Sequence, residues 1–185
     1  IPNLLVLRPA DANEVREAWK ATIAHRHRPT ALILTRQNLP TLDRTRFAPA
    51  TGLHKGAYVL ADLGEGRPEI ILMATGSEVG LIVDAGQQLA EKGVAVRLVS
   101  FPSWELFAEQ DADYREEVFP SDVTRRLSVE AGIAQGWYRW VGSQGRVLAI
   151  DRFGASAPAK EIFENLGITA AHIVELAGEL LDGRA

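Results

Sequence analysis

Short, continuous apolar runs alternate with stretches of helical spacing along this chain. Leu4–Leu7 and Ala31–Leu34 are apolar throughout; Pro9 ends the first, and Thr35, Arg36, Gln37 and Asn38 end the second. Between them Val15, Ala18, Trp19, Thr22 and Ile23 recur as one face of a helix. Asp11 with Glu14 three residues later is the pattern of a capping box. Pro29 is expected to close the helix, which puts His25, Arg26, His27 and Arg28 in its last turn at the negative end of the helix dipole. The first forty residues therefore predict strand, helix, strand. Strands this apolar, joined by a helix, belong to a parallel sheet covered on both faces.

The pattern breaks after Thr41. Leu42 to about Lys55 is rich in Pro, Thr and charge and reads as a linker, with Ala57–Leu63 as an edge strand or ribbon. A second α/β pattern starts at Glu69. Ile70–Ala74, Val94–Val99, Arg126–Val129 and Val147–Ile150 are the expected strands. Val79, Ile82, Val83, Gly86, Leu89 and Ala90 share a helical face, with Ser77 expected as its N-cap and Gly93 just past its end. Two short helices are expected between Pro102 and Pro120, another over Ile133–Val141, one capped by Ser156 with Pro158 in its first turn, and a last one capped by Thr169. The expected fold is α/β: a partial parallel-sheet domain, then a complete three-layer α/β/α, Rossmann-like domain with a mostly parallel sheet. The expected division is 1–41, the end of one domain; 42–68, linker and edge strand; and 69–185, the second domain. Because the chain enters directly into an apolar strand without a Met, it is read as a piece of a longer protein.

Composition narrows the function classes. A net charge of −4 with no long Lys/Arg block argues against nucleic acid as a partner, and no apolar run reaches membrane-spanning length. With no cysteine, disulfides, thiolate metal sites and a cysteine nucleophile are excluded, and a cytoplasmic setting is expected.

Few residues suggest chemistry by type and spacing. Ligands of open α/β sheets sit beyond the carboxyl ends of the strands, where the second apolar run delivers Arg36. A guanidinium there matches phosphate or carboxylate; the alternative is an arginine paired to a neighbouring carboxylate. The stretch ATGSEVG, Ala74–Gly80, runs from strand into helix and either binds an anion or is simply capped by Ser77. Glu130 and Asp151 lie at two strand ends, suited to acid–base work or, more simply, to capping and pairing with arginines. Trp137, Trp140 and Val141 share a face that is either an interface or core. His25, His27, His54 and His172 show no metal-ligand spacing.

Longer stretches carry more. RPADANEVREAWKATI (Arg8–Ile23), ALILTRQNLP (Ala31–Pro40), KGAYVL (Lys55–Leu60), ATGSEV (Ala74–Val79), VEAGIAQGWYRWVG (Val129–Gly142) and DRFGASAPAKEIFENLGIT (Asp151–Thr169) together resemble the transketolase family, in the family's order. Thr35 stands where the family commonly has Ser. Dihydroxyacetone synthase is similar in the same region and is the alternative, as is a regulatory ligand-binding module. The resemblance implies an enzyme of the pentose phosphate pathway. It moves a two-carbon ketol unit from a ketose phosphate to an aldose phosphate, as a homodimer using thiamine diphosphate and a divalent metal, Mg. Only the end of the pyrimidine-binding domain and the C-terminal domain are matched, so the family's diphosphate–metal motif, activating glutamate and catalytic histidines have no counterpart here. The resemblance assigns this chain no catalytic, cofactor or metal residue; no cofactor is expected to bind it alone, and it is expected to be inactive by itself. One role carries over: Arg36, resembling the arginine that binds the substrate phosphate.

Overall fold

The structure, a computed structural model, describes residues 1–183. Two sheets organise it. The smaller pairs β1 (Leu5–Leu7) with β2 (Thr30–Leu32) in parallel, joined by helix α1 (Ala12–Ala24). The larger has five strands: β3 (Tyr58–Leu63), β4 (Ile70–Ala74), β5 (Val96–Ser100), β6 (Arg126–Val129) and β7 (Arg146–Leu148), in the order β3-β5-β4-β6-β7. All neighbours are parallel except β3, the antiparallel edge, which carries an irregularity between Val59 and Ala61.

The layers follow from the two faces of β4. Ile70, Leu72 and Ala74 point into one core with α2 (Glu78–Glu91) and α7 (Ala170–Leu181). Ile71 and Met73 point into the other, with the short helices α3 (Trp104–Ala108), α4 (Ala112–Val118) and α5 (Tyr138–Val141). Phe101 is the hub of that second core: the rings of Phe107, Phe119, Trp137 and Trp140 lie 4.9–5.8 Å from it, mostly edge-on. This is the expected three-layer α/β/α fold. Trp137 and Trp140 belong to its interior rather than to an exposed patch. Helix α6 (Ala159–Leu166) and α7 follow β7, and Thr169 caps α7 by accepting from the His172 amide.

Several local expectations change. Helix α1 ends at Ala24, so His25–Arg28 lie beyond it; the His25 ring and amide both bond the Ala21 carbonyl and close the helix there. Its buried face is Glu14, Glu17, Ala18 and Ala21, whereas Trp19 and Ile23 are 52% and 65% exposed. The carboxylates go inward because partners wait for them. Tyr58 and Ser100 donate to Glu14 Oε1 at 2.6 Å each, and the His54 ring meets Glu17 Oε2 at 3.0 Å. Strand β2 stops at Leu32 because its partner leaves: after Leu7, the Arg8 amide donates to the Pro102 carbonyl and the Arg8 carbonyl accepts from Gly76. Ile33–Leu34 therefore lie outside the sheet, half exposed. Residues 133–137 are not helical, since Gly136 takes φ +95°. Ser77 is the N-cap residue of α2, as expected, but has helical φ and ψ and makes no side-chain capping bond; Ser156 does not cap α6, whose N-cap is Pro158.

The β1–α1–β2 unit packs its core of Leu5, Leu7, Ala18 and Ala21 against Leu53 in a 3-10 turn (Ala50–Lys55) and Leu106 of α3. Asp11 ties the unit to the linker. It caps α1 through the Glu14 amide, and also receives the Leu42 amide and the Arg44 guanidinium at 3.0 Å.

Candidate functional site

Two places lie beyond the carboxyl ends of parallel strands, where α/β sheets present ligand-binding groups. The first is at β2. The chain leaves the strand at Leu32 and bends at Arg36 and Gln37, the bend pinned by the Thr35 hydroxyl donating to the Gln37 carbonyl at 3.1 Å. Arg36 is exposed and makes no hydrogen bond or ion pair among the described residues, so the expected alternative, a neighbouring carboxylate partner, is not found. With Gln37 it forms one wall of a cleft of about 460 Å³. The other wall comes from the far end of the chain: Ala155, Ser156, Ala157, Ala159 and Ile162. Among the described residues Arg36 is the only ionised side chain in that lining. Chemically, the cleft can receive an anion.

The second place is the switch point of the large sheet. Connections run to opposite sides of β4, so the crevice opens between the ends of β4 and β6. An arginine from the other unit occupies it. Arg8 follows β1 directly, and its Nη1 donates to both Glu130 oxygens, at 2.5 and 2.6 Å. Trp137 Nε1 donates to Glu130 as well, at 3.1 Å. Behind them sits Glu78, fully buried at the start of α2. Its Oε1 accepts from the Ala131 amide at 3.0 Å, while Oε2 accepts no hydrogen bond and has only the Arg8 guanidinium, 3.9 Å away. Burial pushes the Glu78 carboxyl up to about 7; Arg8 pulls it down and the Glu130 charge adds to the rise. Beside this triad a 280 Å³ crevice remains, walled by Phe101, Pro102 and Trp104.

The remaining candidates separate. Glu130 meets Arg8, whereas Asp151 holds the Ala134 amide at 2.8 Å, so the two carboxylates do not act on one ligand. His25 bonds Ala21, His54 bonds Glu17 and His172 bonds the Gly167 carbonyl. No group of three His, Asp or Glu side chains among the described residues is placed to hold a metal ion. No helix among them is long and apolar enough to cross a membrane. Sequence reasoning missed Arg8 and Glu78. The available signal was an arginine directly after an apolar run, matching a glutamate at another strand end.

Comparison with known proteins adds the family. Residues 1–41 match the model of the transketolase pyrimidine-binding domain, and residues 56–169 that of the transketolase-like C-terminal domain. The chain is 50% identical to the transketolase of Halalkalibacterium halodurans over 184 residues, which is 100% of this chain and 28% of that protein. Transketolase from Leishmania mexicana superposes with a TM-score of 0.89 at 36% identity, over 98% of this chain and 26% of that one. A Pichia stipitis transketolase in complex with sedoheptulose-7-phosphate superposes with a TM-score of 0.88 at 38% identity, over 98% and 25%. The chain thus spans about a quarter of the length of these relatives.

Proposed function

We propose, for a chain that belongs to the transketolase family, that Arg36 binds the phosphate of a sugar substrate. The complete enzyme moves a two-carbon ketol unit between ketose and aldose phosphates, as in the pentose phosphate pathway. The observation that carries this reading is that, among the described residues, the Arg36 guanidinium has no partner and its cleft has no carboxylate in its lining. A planar fork of N–H donors matches a phosphoryl group, and charge-assisted bonds are the strong ones.

In this reading residues 1–41 end the pyrimidine-binding domain, 42–68 link and add an edge strand, and 69–185 form the C-terminal domain, its last two residues lying outside the described ones. The separate sheets and the family matches support the break after residue 41; the match to the C-terminal domain begins at residue 56, and β3 joins the larger sheet, so the edge strand goes with that domain. When bound, thiamine diphosphate supplies the electron sink for C–C cleavage. In this reading the contacts to its diphosphate and to the divalent metal, Mg, come from other parts of the full-length enzyme. Half-exposed Trp19, Ile23, Ile33 and Leu34 call for cover and support a larger homodimeric assembly. The absence of cysteine supports a cytoplasmic setting. A regulatory anion at the switch point is disfavoured, since the Arg8 guanidinium there is already paired with Glu130.

Replacing Arg36 by Ala in the full-length enzyme tests the assignment. KM for phosphorylated substrates should rise roughly tenfold to a hundredfold, the worth of a charge-assisted bond, while that for unphosphorylated analogues stays put. An unchanged KM removes Arg36 from the site. The 185-residue chain alone, given thiamine diphosphate, magnesium and a ketose phosphate, should turn over no faster than a protein-free control.

A further inference from the structure

Residues 152–157, the first six of the RFGASAPA stretch, do nothing for the core. All are exposed, and Phe153 at 97% is nearly free of the protein. Ser156 does not cap α6, which starts behind Pro158 without a side-chain bond, and its hydroxyl makes no hydrogen bond among the described residues. What this segment does is form the wall opposite Arg36. Its small side chains, Ala155, Ser156 and Ala157, keep that wall low and the cleft open to about 460 Å³, within the range of small-molecule sites.

Arg36 belongs to the first unit and Ser156 to the last third of the chain, so the cleft is useful only if the two units are held in register. They are. Arg8 grips Glu130, Arg44 joins Asp11, and Glu14 receives both Tyr58 and Ser100, all across the boundary between the small sheet and the rest. These ties set the two units in register and so bring Arg36 and Ser156 to one cleft. Within the lining the available donors are the Arg36 guanidinium, the Gln37 amide and the Ser156 hydroxyl, and no ionised acceptor among the described residues of the lining competes for them.

From this juxtaposition we infer that Ser156 is a second phosphate-binding, specificity-determining residue: the phosphoryl group held by Arg36 is closed on its other side by the Ser156 hydroxyl. The inference rests on the reading of Arg36 as a phosphate ligand. It gives the C-terminal domain a direct part in choosing phosphorylated substrates.

The test compares three variants of the full-length enzyme, Ser156→Ala, Ser156→Asp and Arg36→Ala, with phosphorylated and unphosphorylated substrates. Ser156→Ala should raise KM for the phosphorylated substrates roughly tenfold, as for a lost bond to a charged group. Ser156→Asp should raise it further, with an excess that shrinks as salt is added, because it sets a like charge against the phosphate. Both should leave KM for unphosphorylated substrates and the melting temperature at wild-type values, since the residue is exposed. If Arg36→Ala raises KM and Ser156→Asp does not, Ser156 is no phosphate contact and Arg36 keeps its role. If neither changes KM, both assignments fall. An equal rise for phosphorylated and unphosphorylated substrates also overturns the inference, because the effect then does not depend on the phosphate.

Discussion

Removing the Arg8 side chain, as Arg8→Ala, leaves two carboxylates facing each other in the switch-point crevice. Glu130 loses its two shortest hydrogen bonds and keeps only the Trp137 indole, and Glu78 loses its only counter-charge. Breaking a buried ion pair by deleting one partner costs about 3–5 kcal/mol. The Arg8 side chain is 27% exposed and the neighbouring crevice admits water, so screening lowers the expected loss to about 2–3 kcal/mol. The dependence on pH makes the test specific. The Glu78 carboxyl sits at about 7 in the folded chain, against an ordinary 4.5. Folded protein therefore holds a proton that unfolded protein has lost between those values, and stability falls as pH rises through that window by about 3 kcal/mol. Without Arg8 the carboxyl rises further, and the fall extends to higher pH. Urea unfolding followed by tryptophan fluorescence at pH 5 and pH 8 measures both effects. The Arg8→Ala loss should be clearly larger at pH 8, where wild-type Glu78 is ionised and needs its counter-charge. A loss below about 0.5 kcal/mol at pH 8, or equal losses at both values, would refute the coupling of the two carboxylates through Arg8.

Tyr58→Phe removes the donor to buried Glu14 and an acceptor for Arg44, and should cost about 1.5–3 kcal/mol in urea unfolding. A loss within error would show that water replaces the hydroxyl. Glu17 behaves oppositely to Glu78 with pH: the His54 bond leads in lowering its carboxyl from 4.5 to about 2. Its contribution is present above pH 4.5 and lost as pH falls through about 2, so Glu17→Gln should flatten that limb of the acid-unfolding curve. An unaltered limb would assign the acid sensitivity to other groups.

Much of the fold was legible from pattern because the large sheet is buried on both faces. Ile70–Ala74 was read with its observed bounds, since an unbroken apolar run between Glu69 and Thr75 leaves little choice, and Arg126–Val129 was read with its observed bounds as well. Helix α1 was legible as a helix, and its cap was correctly read, but its orientation was not. Apolar spacing chose Trp19 and Ile23 for the inside. The structure instead buries Glu14 and Glu17, whose partners Ser100, Tyr58 and His54 lie 37 to 86 residues away. Periodicity ranks side chains by their own polarity. It has no access to a distant hydroxyl or imidazole that makes burial of a carboxylate tolerable.

The site shows the same division between local and distant information. Arg8 and Arg36 both follow strands of the small parallel sheet, and by residue type and position they are equivalent candidates for an anion. What separates them is what the rest of the chain presents to each. Arg8 meets Glu130 and Glu78, so its charge is neutralised within the protein and holds the units together. Arg36 meets alanines, a serine and an isoleucine, so its charge remains available. The family resemblance singled out Arg36 without that comparison. The geometry supports the choice independently, because an arginine left unpaired on a cleft that lacks carboxylates is the one whose counter-ion must come from outside the chain.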